Sequence, residues 1–300
     1  MMQSEPILEP DLPICDPHHH LWDLPEGGGS PLVRMMRLPR RRFLLDELLG
    51  EIGAGHNIVS TVFIQARAFH RASGPEHLMP VGETEVVNGV AAMAASGRYG
   101  DARICAGIVS YADLTLGDVV AETLAAHLRA GGGRVRGIRQ SASHDAAAGL
   151  PRYAPHFPDD LYRDPAFRAG FARLAEFGLS FDAWLYHPQI DSLTELADAF
   201  PDQPIVLDHL GTPLGIGPYA GRGEEVFAHW RASLRELARR PNVRVKLGGL
   251  GMVTFDPAFS QDREAVTSER LAVAWRPYIE TGIEAFGIER SMFESNFPVD

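Results

Sequence analysis

Short runs of apolar residues alternate along the chain with longer stretches in which apolar residues recur every three to four positions. The short runs are typical of strands buried in a parallel sheet, and the periodic stretches are typical of helices that cover it. The pattern predicts strands at Pro13–His18, Ile58–Gln65, Ile104–Val109, Val135–Gln140, Leu179–Tyr186, Ile205–His209, Val243–Leu247 and Ser291–Asn296.

Amphipathic helices are predicted between these strands, at Phe43–Ala54, Glu83–Ala95, Leu116–Ala130, Pro165–Phe177, Ser192–Ala199, Glu224–Arg239 and Ser268–Phe286. Asp164-Pro165 and Asp191-Ser192 are start signals, and Gly131 and Gly178 are stop signals. The repeated unit predicts an α/β fold, a (β/α)8 TIM barrel, with residues 1–300 as a single domain. No helical pattern follows the last strand, so we expect the barrel to lack its final C-terminal helix.

The amino-acid composition excludes some classes of binding partner. The formal net charge is -11, which argues against nucleic-acid and anionic-membrane surfaces, and the only dense basic run is Arg34–Arg42. We expect that run to lie over a site mouth or an oligomer contact. Cys15 and Cys105 give no disulfide framework, and we find no leader or membrane-spanning run. These features favour a cytoplasmic protein with a small-molecule substrate; a homodimer stays open, because barrels of this size often dimerise.

Polar side chains recur where the predicted strands end. They are His18, His20, Gln65, Arg139, His187, His209, Lys246 and Asn296. A barrel gathers the carboxyl ends of its strands around one mouth, so these residues should converge there. The glycine- and proline-rich loops Pro25–Pro31, Ser141–Pro158 and Gly211–Gly223 leave the same face.

The segment Asp16-Pro17-His18-His19-His20 is the most specific of these features. Side chains alternate along a strand, so His18 and His20 share a face and His19 points away. Such a pair can hold a divalent metal or hydrogen-bond a substrate oxygen. Lys246 is the only lysine of the chain, and it either points inward or reaches to the barrel rim. Arg139 either captures a substrate carboxylate or ring carbonyl, or pairs with a neighbouring helix.

Six ordered blocks resemble one branch of the amidohydrolase-related family, the branch of 2-pyrone-4,6-dicarboxylate lactonase and fuconolactonase. The blocks are Asp16–Asp23, Gly137–Arg139, Tyr186–Gln189, Leu207–Pro213, Lys246–Gly249 and Phe293–Pro298. The resemblance implies a distorted TIM barrel that hydrolyses lactones, with a divalent metal in some members and none in others.

Carried over by position, the resemblance makes His18, His20 and His209 catalytic residues and candidate metal ligands, with zinc the favoured ion. It makes Arg139 and Lys246 substrate-binding residues, and we add His187 and Gln65 to that group from their strand-end positions. Relatives have an aspartate, the general base, where this chain has Asn296. An amide cannot accept a proton from water, which puts the usual mechanism in doubt; Glu294 or Asp300 could substitute as the base, and alternation favours Glu294. Glu294 can also be a barrel-floor carboxylate paired with Lys246 or an arginine.

Three functions follow as hypotheses. The first is opening of a lactone ring by water, in which the histidines polarise the carbonyl with or without a metal. The second is metal-dependent, non-oxidative decarboxylation on the same barrel. The third is binding of a small molecule without catalysis, because the strand-eight aspartate is replaced by Asn296.

Overall fold

The computed structural model describes residues 5–24, 40–256 and 266–300. Its main sheet has eight strands, in parallel pairing and in sequence order around the sheet. The strands are β1 (Ile14–His19), β2 (Ile58–Ile64), β3 (Arg103–Ser110), β4 (Val135–Arg139), β5 (Ser180–Ala183), β6 (Ile205–Leu207), β7 (Val243–Leu247) and β8 (Ser291–Phe293).

The first strand meets the segment that follows the last one. Asn296 N donates to His18 O at 2.9 Å, and His20 N donates to Phe297 O at 2.8 Å. His19 and Phe297 form a parallel bridge at the same place. These bonds close the sheet, so the predicted (β/α)8 barrel is confirmed.

Helices alternate with the strands: α1 (Leu45–Ile52), α2 (Val81–Ala94), α3 (Val120–Ala130), α4 (Pro165–Ala172), α5 (Ile190–Ala199), α6 (Gly223–Leu237) and α7 (Ser268–Phe286). The start signal at Asp164 is confirmed, because its side chain accepts from Phe167 N at 2.8 Å. The start signal at Asp191 is wrong, since α5 begins at Ile190 and Asp191 lies in its first turn. Residues 294–300, after β8, form no helix.

Three predicted strands are too long. β5 ends at Ala183, β6 at Leu207 and β8 at Phe293. After β6 the chain turns through Asp208–Gly211, where His209 and Leu210 have φ values of 56° and 53°. A side chain with Cβ reaches this left-handed region only at a cost, so the turn is held in place by the contacts described below.

Aromatic side chains fill the space between the sheet and the helices on the β5 side. Phe181 of β5 lies edge-on to Phe167 and Phe171 of α4, with ring centroids 5.9 and 5.2 Å apart. Tyr162 packs on the same ring at 5.9 Å. All four side chains are fully buried, and edge-on rings add to the stabilisation that burial gives. This packing fixes β5 and the site residues that follow it.

Two predicted features lie outside the described residues. The loop Pro25–Pro31 is one, and the basic run Arg34–Arg42 is the other except for its last three residues. Within the described part of the chain, no helix has the combination of length and apolar character that crossing a bilayer requires.

Candidate active site

His18 and His20 lie side by side at the end of β1. Their Nε2 atoms are 3.2 Å apart, while His19 points to the other side, where its Nε2 lies 2.9 Å from Thr61 Oγ1. The predicted alternation is therefore confirmed. Both imidazoles of the pair are buried. The Nδ1 of His20 lies 2.8 Å from the carbonyl oxygen of Ile64, which can only accept. That nitrogen therefore carries a proton, and the lone pair of neutral His20 is on Nε2.

Glu294 joins two of the predicted histidines. One carboxylate oxygen lies 2.7 Å from His18 Nδ1, and the other lies 2.8 Å from His209 Nδ1 and 3.1 Å from His209 N. The rings of His18 and His209 are stacked at a tilt, with centroids 4.6 Å apart. Glu294 lies one residue beyond β8, so strand alternation was the wrong reason for its inward position. Its placement depends on the hydrogen bonds with His209 and on the close contact with His18.

Two glycines make room for this pair. A Cβ on Gly249, which has φ +72°, would lie 2.4 Å from His209 Cβ, and a Cβ on Gly248 would lie 2.5 Å from Glu294 Cγ. Neither distance is possible for a side chain, and the left-handed φ of Gly249 favours glycine independently. The Lys246-Leu247-Gly248-Gly249 block therefore supplies both a buried cation and the space beside it.

Lys246 points inward and lies between two carboxylates that the sequence reasoning did not assign. Its Nζ is 2.6 Å from Asp182 Oδ2 and 2.8 Å from Asp208 Oδ1. The inward placement of Lys246 is confirmed, but what it contacts here is protein carboxylate. Burial lowers the pKa of Lys246, yet the two aspartates more than offset this and leave it raised. Lys246 therefore stays charged inside the barrel.

Arg139 belongs to the same network. Its Nη1 lies 3.3 Å from His18 Nε2 and 3.5 Å from Asp208 Oδ2, and its Nη2 donates to Gln65 O at 2.5 Å. The guanidinium also faces the ring of Trp184 at 5.6 Å. The alternative of an ion pair with a helix is wrong, because Asp208 follows β6. Nη2 is held by Gln65 O, so only Nη1, whose contacts are longer, is left for a substrate oxygen, and paired capture of a carboxylate is not available.

The three histidines differ in charge. Burial and the charge of Lys246 hold the pKa of His18 well below its usual range, and burial and Arg139 do the same for the pKa of His20. Burial lowers the pKa of His209 as well, but the carboxylate of Glu294 outweighs it, and that pKa is raised. His18 and His20 are therefore neutral at pH 7 and keep a ring lone pair, whereas His209 retains a proton more readily.

Asn296 has a carboxylate beside it. Val299 N donates to Asn296 O at 2.8 Å and closes a turn, and Asn296 Nδ2 donates to Asp300 Oδ1 at 3.2 Å. Burial raises the pKa of Asp300 to about 6, while His209 lowers it and Glu294 raises it by smaller amounts. Asn296 itself is buried, has φ 54° and leaves its Oδ1 without a partner among the described residues.

The side chains of two predicted substrate-binding residues form no hydrogen bond with the histidine cluster within the described part of the chain. The side-chain amide of Gln65 is buried, and neither of its polar atoms has a hydrogen-bond partner within the described ranges. His187 accepts from Leu214 N at 3.2 Å, and its ring contacts Tyr219 and His229. Within the described ranges, its ring has no hydrogen bond or ring contact with the cluster. Both roles remain predictions.

Comparison with known proteins identifies the group to which this barrel belongs. A sequence model of the amidohydrolase family matches residues 15–300. This chain belongs to the amidohydrolase family. The uncharacterized protein y4mH of Sinorhizobium fredii is 35% identical to this amidohydrolase over 97% of its chain and 86% of that protein. An L-fucono-1,5-lactonase of Burkholderia multivorans is 32% identical, over 45% of this chain and 43% of that protein.

A solved structure has the same fold. It is an amidohydrolase from Burkholderia multivorans with bound zinc, with a TM-score of 0.68 and 24% identity over 95% of this chain and 84% of that one. The family resemblance predicted from six sequence blocks is thereby confirmed.

The histidines of this amidohydrolase fit a divalent metal. Nitrogens about 2.1 Å from a tetrahedral zinc ion lie about 3.4 Å apart, and the Nε2 atoms of His18 and His20 are 3.2 Å apart. Ile64 O and Glu294 occupy the Nδ1 atoms of all three rings, which leaves each Nε2 for a ligand role. His18, His209 and Glu294 also place potential ligand atoms within 4.8 Å of one another. Because Glu294 accepts from His209 Nδ1 and lies 2.7 Å from His18 Nδ1, it holds these two rings in this arrangement.

Proposed function

We propose that this amidohydrolase opens the ring of a lactone by adding water to its carbonyl carbon. The observation that carries the proposal is the cluster of three imidazoles whose Nδ1 atoms all face acceptors, so that the Nε2 lone pairs of neutral His18 and His20 are free for a metal ion that would polarise the carbonyl. The partial match to an L-fucono-1,5-lactonase supports a lactone as the substrate class.

The reaction needs stabilisation of negative charge on the carbonyl oxygen. Arg139, with Nη1 3.3 Å from His18 Nε2, is the cation beside the imidazole pair. In a buried site such a donor acts far more strongly than in water, because no solvent reorganises around the developing charge. Lys246 supports this arrangement from behind, since it holds Asp208, which in turn contacts Arg139.

A metal, when bound, would be held by His18, His20 and His209, and it would supply Lewis-acid polarisation of the carbonyl and a lowered pKa for water. Zinc suits three imidazole ligands. Without a metal, the groups that can donate to the carbonyl oxygen are Arg139 and protonated His209, because neutral His18 and His20 present only Nε2 lone pairs.

Asp300 is the general base in this proposal. Both oxygens of Glu294 are engaged with His18 and His209, so that carboxylate positions rings. The pKa of Asp300, raised to about 6 by burial, lies near the pH at which a base works best. Asn296 Nδ2, 3.2 Å from Asp300 Oδ1, orients it.

The test is turnover of a panel of five- and six-membered lactones. The rate at which acid is released is then measured as a function of pH. Asp300→Asn should lower kcat about 100-fold or more and remove the acidic limb of the pH profile near pH 6. Glu294→Gln should lower kcat while keeping that limb. If Glu294→Gln instead removes the acidic limb and Asp300→Asn keeps it, Glu294 is the base.

Metal content of the purified protein, measured by elemental analysis, completes the test. About one equivalent of zinc that is lost in the His18→Ala/His20→Ala variant would support the metal-assisted form. Carbon dioxide release from unsaturated acids would contradict lactone hydrolysis, and so would ligand binding with no turnover of any lactone.

A further inference from the structure

The charges inside the barrel neutralise one another. Lys246 is paired with Asp182 and Asp208, Arg139 contacts Asp208, and Glu294 contacts His209. An anionic group on a substrate would therefore meet cations that already have partners. Recognition of such a group requires a positive charge nearer to solvent.

Arg67 is such a charge. It is exposed and follows the end of β2, at the mouth face. Its guanidinium carbon lies 5.0 Å from the ring centroid of Tyr111 and 5.0 Å from that of Tyr153. Its Nη1 donates to Tyr153 O at 3.3 Å. No carboxylate of the described residues lies within 4.0 Å of its nitrogens. Contact with aromatic rings holds a guanidinium without neutralising it.

The backbone around Arg67 is fixed from below. Ala66 N and Ala68 N both donate to Glu83 Oε1, at 3.0 and 2.8 Å. Arg67 has φ 56°, a left-handed conformation that needs such support. Gly82 of α2 allows the close approach, since a Cβ there would lie 2.5 Å from Phe69 O. Arg67 is therefore placed before any ligand arrives, which lowers the entropic cost of binding.

Aromatic rings connect Arg67 to the reactive centre. Tyr153 contacts Trp184 edge-on with centroids 5.9 Å apart, and Trp184 contacts both Arg139 and His209. Gln65, two residues before Arg67, bonds Arg139 through its carbonyl and keeps an unpartnered buried amide. These contacts form a continuous aromatic wall from Arg67 to His209, along which a substrate would have its reacting carbonyl at the histidine end and its anionic group at the Arg67 end.

We propose that Arg67 determines specificity by pairing with a carboxylate on the substrate, so that the preferred lactones are acidic ones. This inference rests on the proposed lactone hydrolysis. The planar guanidinium offers paired N–H groups to a carboxylate, a geometry that lysine lacks. Neutral sugar lactones would gain nothing from it.

The first experiment measures binding without catalysis. Tetrahydropyran-2-carboxylate and tetrahydropyran-2-methanol are ring ethers that cannot be hydrolysed, and their dissociation constants are measured by calorimetry or NMR titration. The wild-type protein should bind the carboxylate more tightly, and Arg67→Met should weaken that binding about 10- to 100-fold, as expected for a charge-assisted hydrogen bond, without affecting the alcohol. The affinity of Arg67→Lys for the carboxylate should lie between those of wild type and Arg67→Met. Arg98→Met, which changes an exposed arginine between α2 and β3, is the matched control and should change neither.

The second experiment compares lactones that carry a carboxylate or a hydroxymethyl group at the same ring position. Arg67→Met should raise KM for the acid about 10- to 100-fold and leave its kcat and both constants of the neutral lactone nearly unchanged. The assignment would be overturned if wild type bound the two ethers equally, or if Arg67→Met had equal effects on the acidic and the neutral lactone. Turnover of no lactone, with Arg67-dependent binding of the carboxylate intact, would remove the proposed function and keep Arg67 as a carboxylate-binding residue.

Discussion

Replacement of Lys246 by methionine tests the electrostatics of the barrel interior. Lys246, Asp182 and Asp208 are all buried, and Nζ lies 2.6 and 2.8 Å from the two carboxylates. Methionine has a similar length but no charge, so Lys246→Met leaves both aspartates with Arg139, 3.5 Å from Asp208, as the nearest cation. Removal of one partner of a buried pair costs about 3–5 kcal/mol, a large part of the about 5–15 kcal/mol by which domains are stable.

The loss should depend on pH in a defined direction. Without Lys246 the pKa of Asp182, already raised to about 6 by burial, rises further. Burial also raises the pKa of Asp208, but Lys246 and Arg139 outweigh it and leave that pKa lowered, so it rises as well when Lys246 is removed. A carboxyl group with a raised pKa in the folded state stabilises that state below its unfolded pKa, and this stabilisation is lost as the pH rises through the folded pKa. The free energy of unfolding of the variant should therefore be closest to that of wild type at acidic pH and furthest below it at alkaline pH.

The assay is urea unfolding followed by circular dichroism at about pH 5 and about pH 8. Lys246→Met/Asp182→Asn removes one charge of each sign and should recover at least half of the loss. Arg244→Met changes an exposed residue on the same strand and should stay within about 0.5 kcal/mol of wild type. A loss below about 1 kcal/mol for Lys246→Met at about pH 8, or the same loss at both pH values, would refute this account.

Two further variants test the site and its support. Gly249→Ala should lower the free energy of unfolding by about 2 kcal/mol or more and lower kcat about 100-fold, because alanine is strained at φ +72° and its Cβ would displace His209. An unchanged kcat and an unchanged free energy of unfolding would contradict this. Burial raises the pKa of Glu83 from 4.5 to about 7, worth about 3 kcal/mol. Wild type should therefore lose that stability relative to Glu83→Gln as the pH rises from about 4.5 to about 8, whereas parallel profiles in urea unfolding would count against the prediction.

The fold could be predicted from the sequence because buried strands and covering helices have different periods. The strand ends could not. Ile205–Leu207 is apolar and no glycine or proline ends the strand before Gly211, but His209 and Leu210 adopt left-handed φ, and His209 N donates to Glu294. That conformation depends on a partner 85 residues away along the chain, which a local pattern does not contain.

The candidate site could be predicted only in part, because some of its residues are recognisable only through partners elsewhere in the chain. Strand-end histidines stand out by residue type, but Asp182 and Asp208 do so only once Lys246 is known to be buried, since a buried lysine needs carboxylates. Asp182 lies beside Arg139 in the register of β4 and β5, so a search for acids on neighbouring strands would have found it. Arg67 had no sequence signal, because its position comes from Tyr111 and Tyr153, which follow two other strands.

Glu294 has a consequence for the maturation of the protein. It joins His18 to His209, and it is synthesised after both of them. Until the segment after β8 docks on β1, through Asn296 N and His18 O, the two imidazoles have no common acceptor to align them. Chemical competence and barrel closure are thus one event, so a partly synthesised or partly unfolded chain lacks the aligned histidines that could take up a stray metal ion or attack a stray ester.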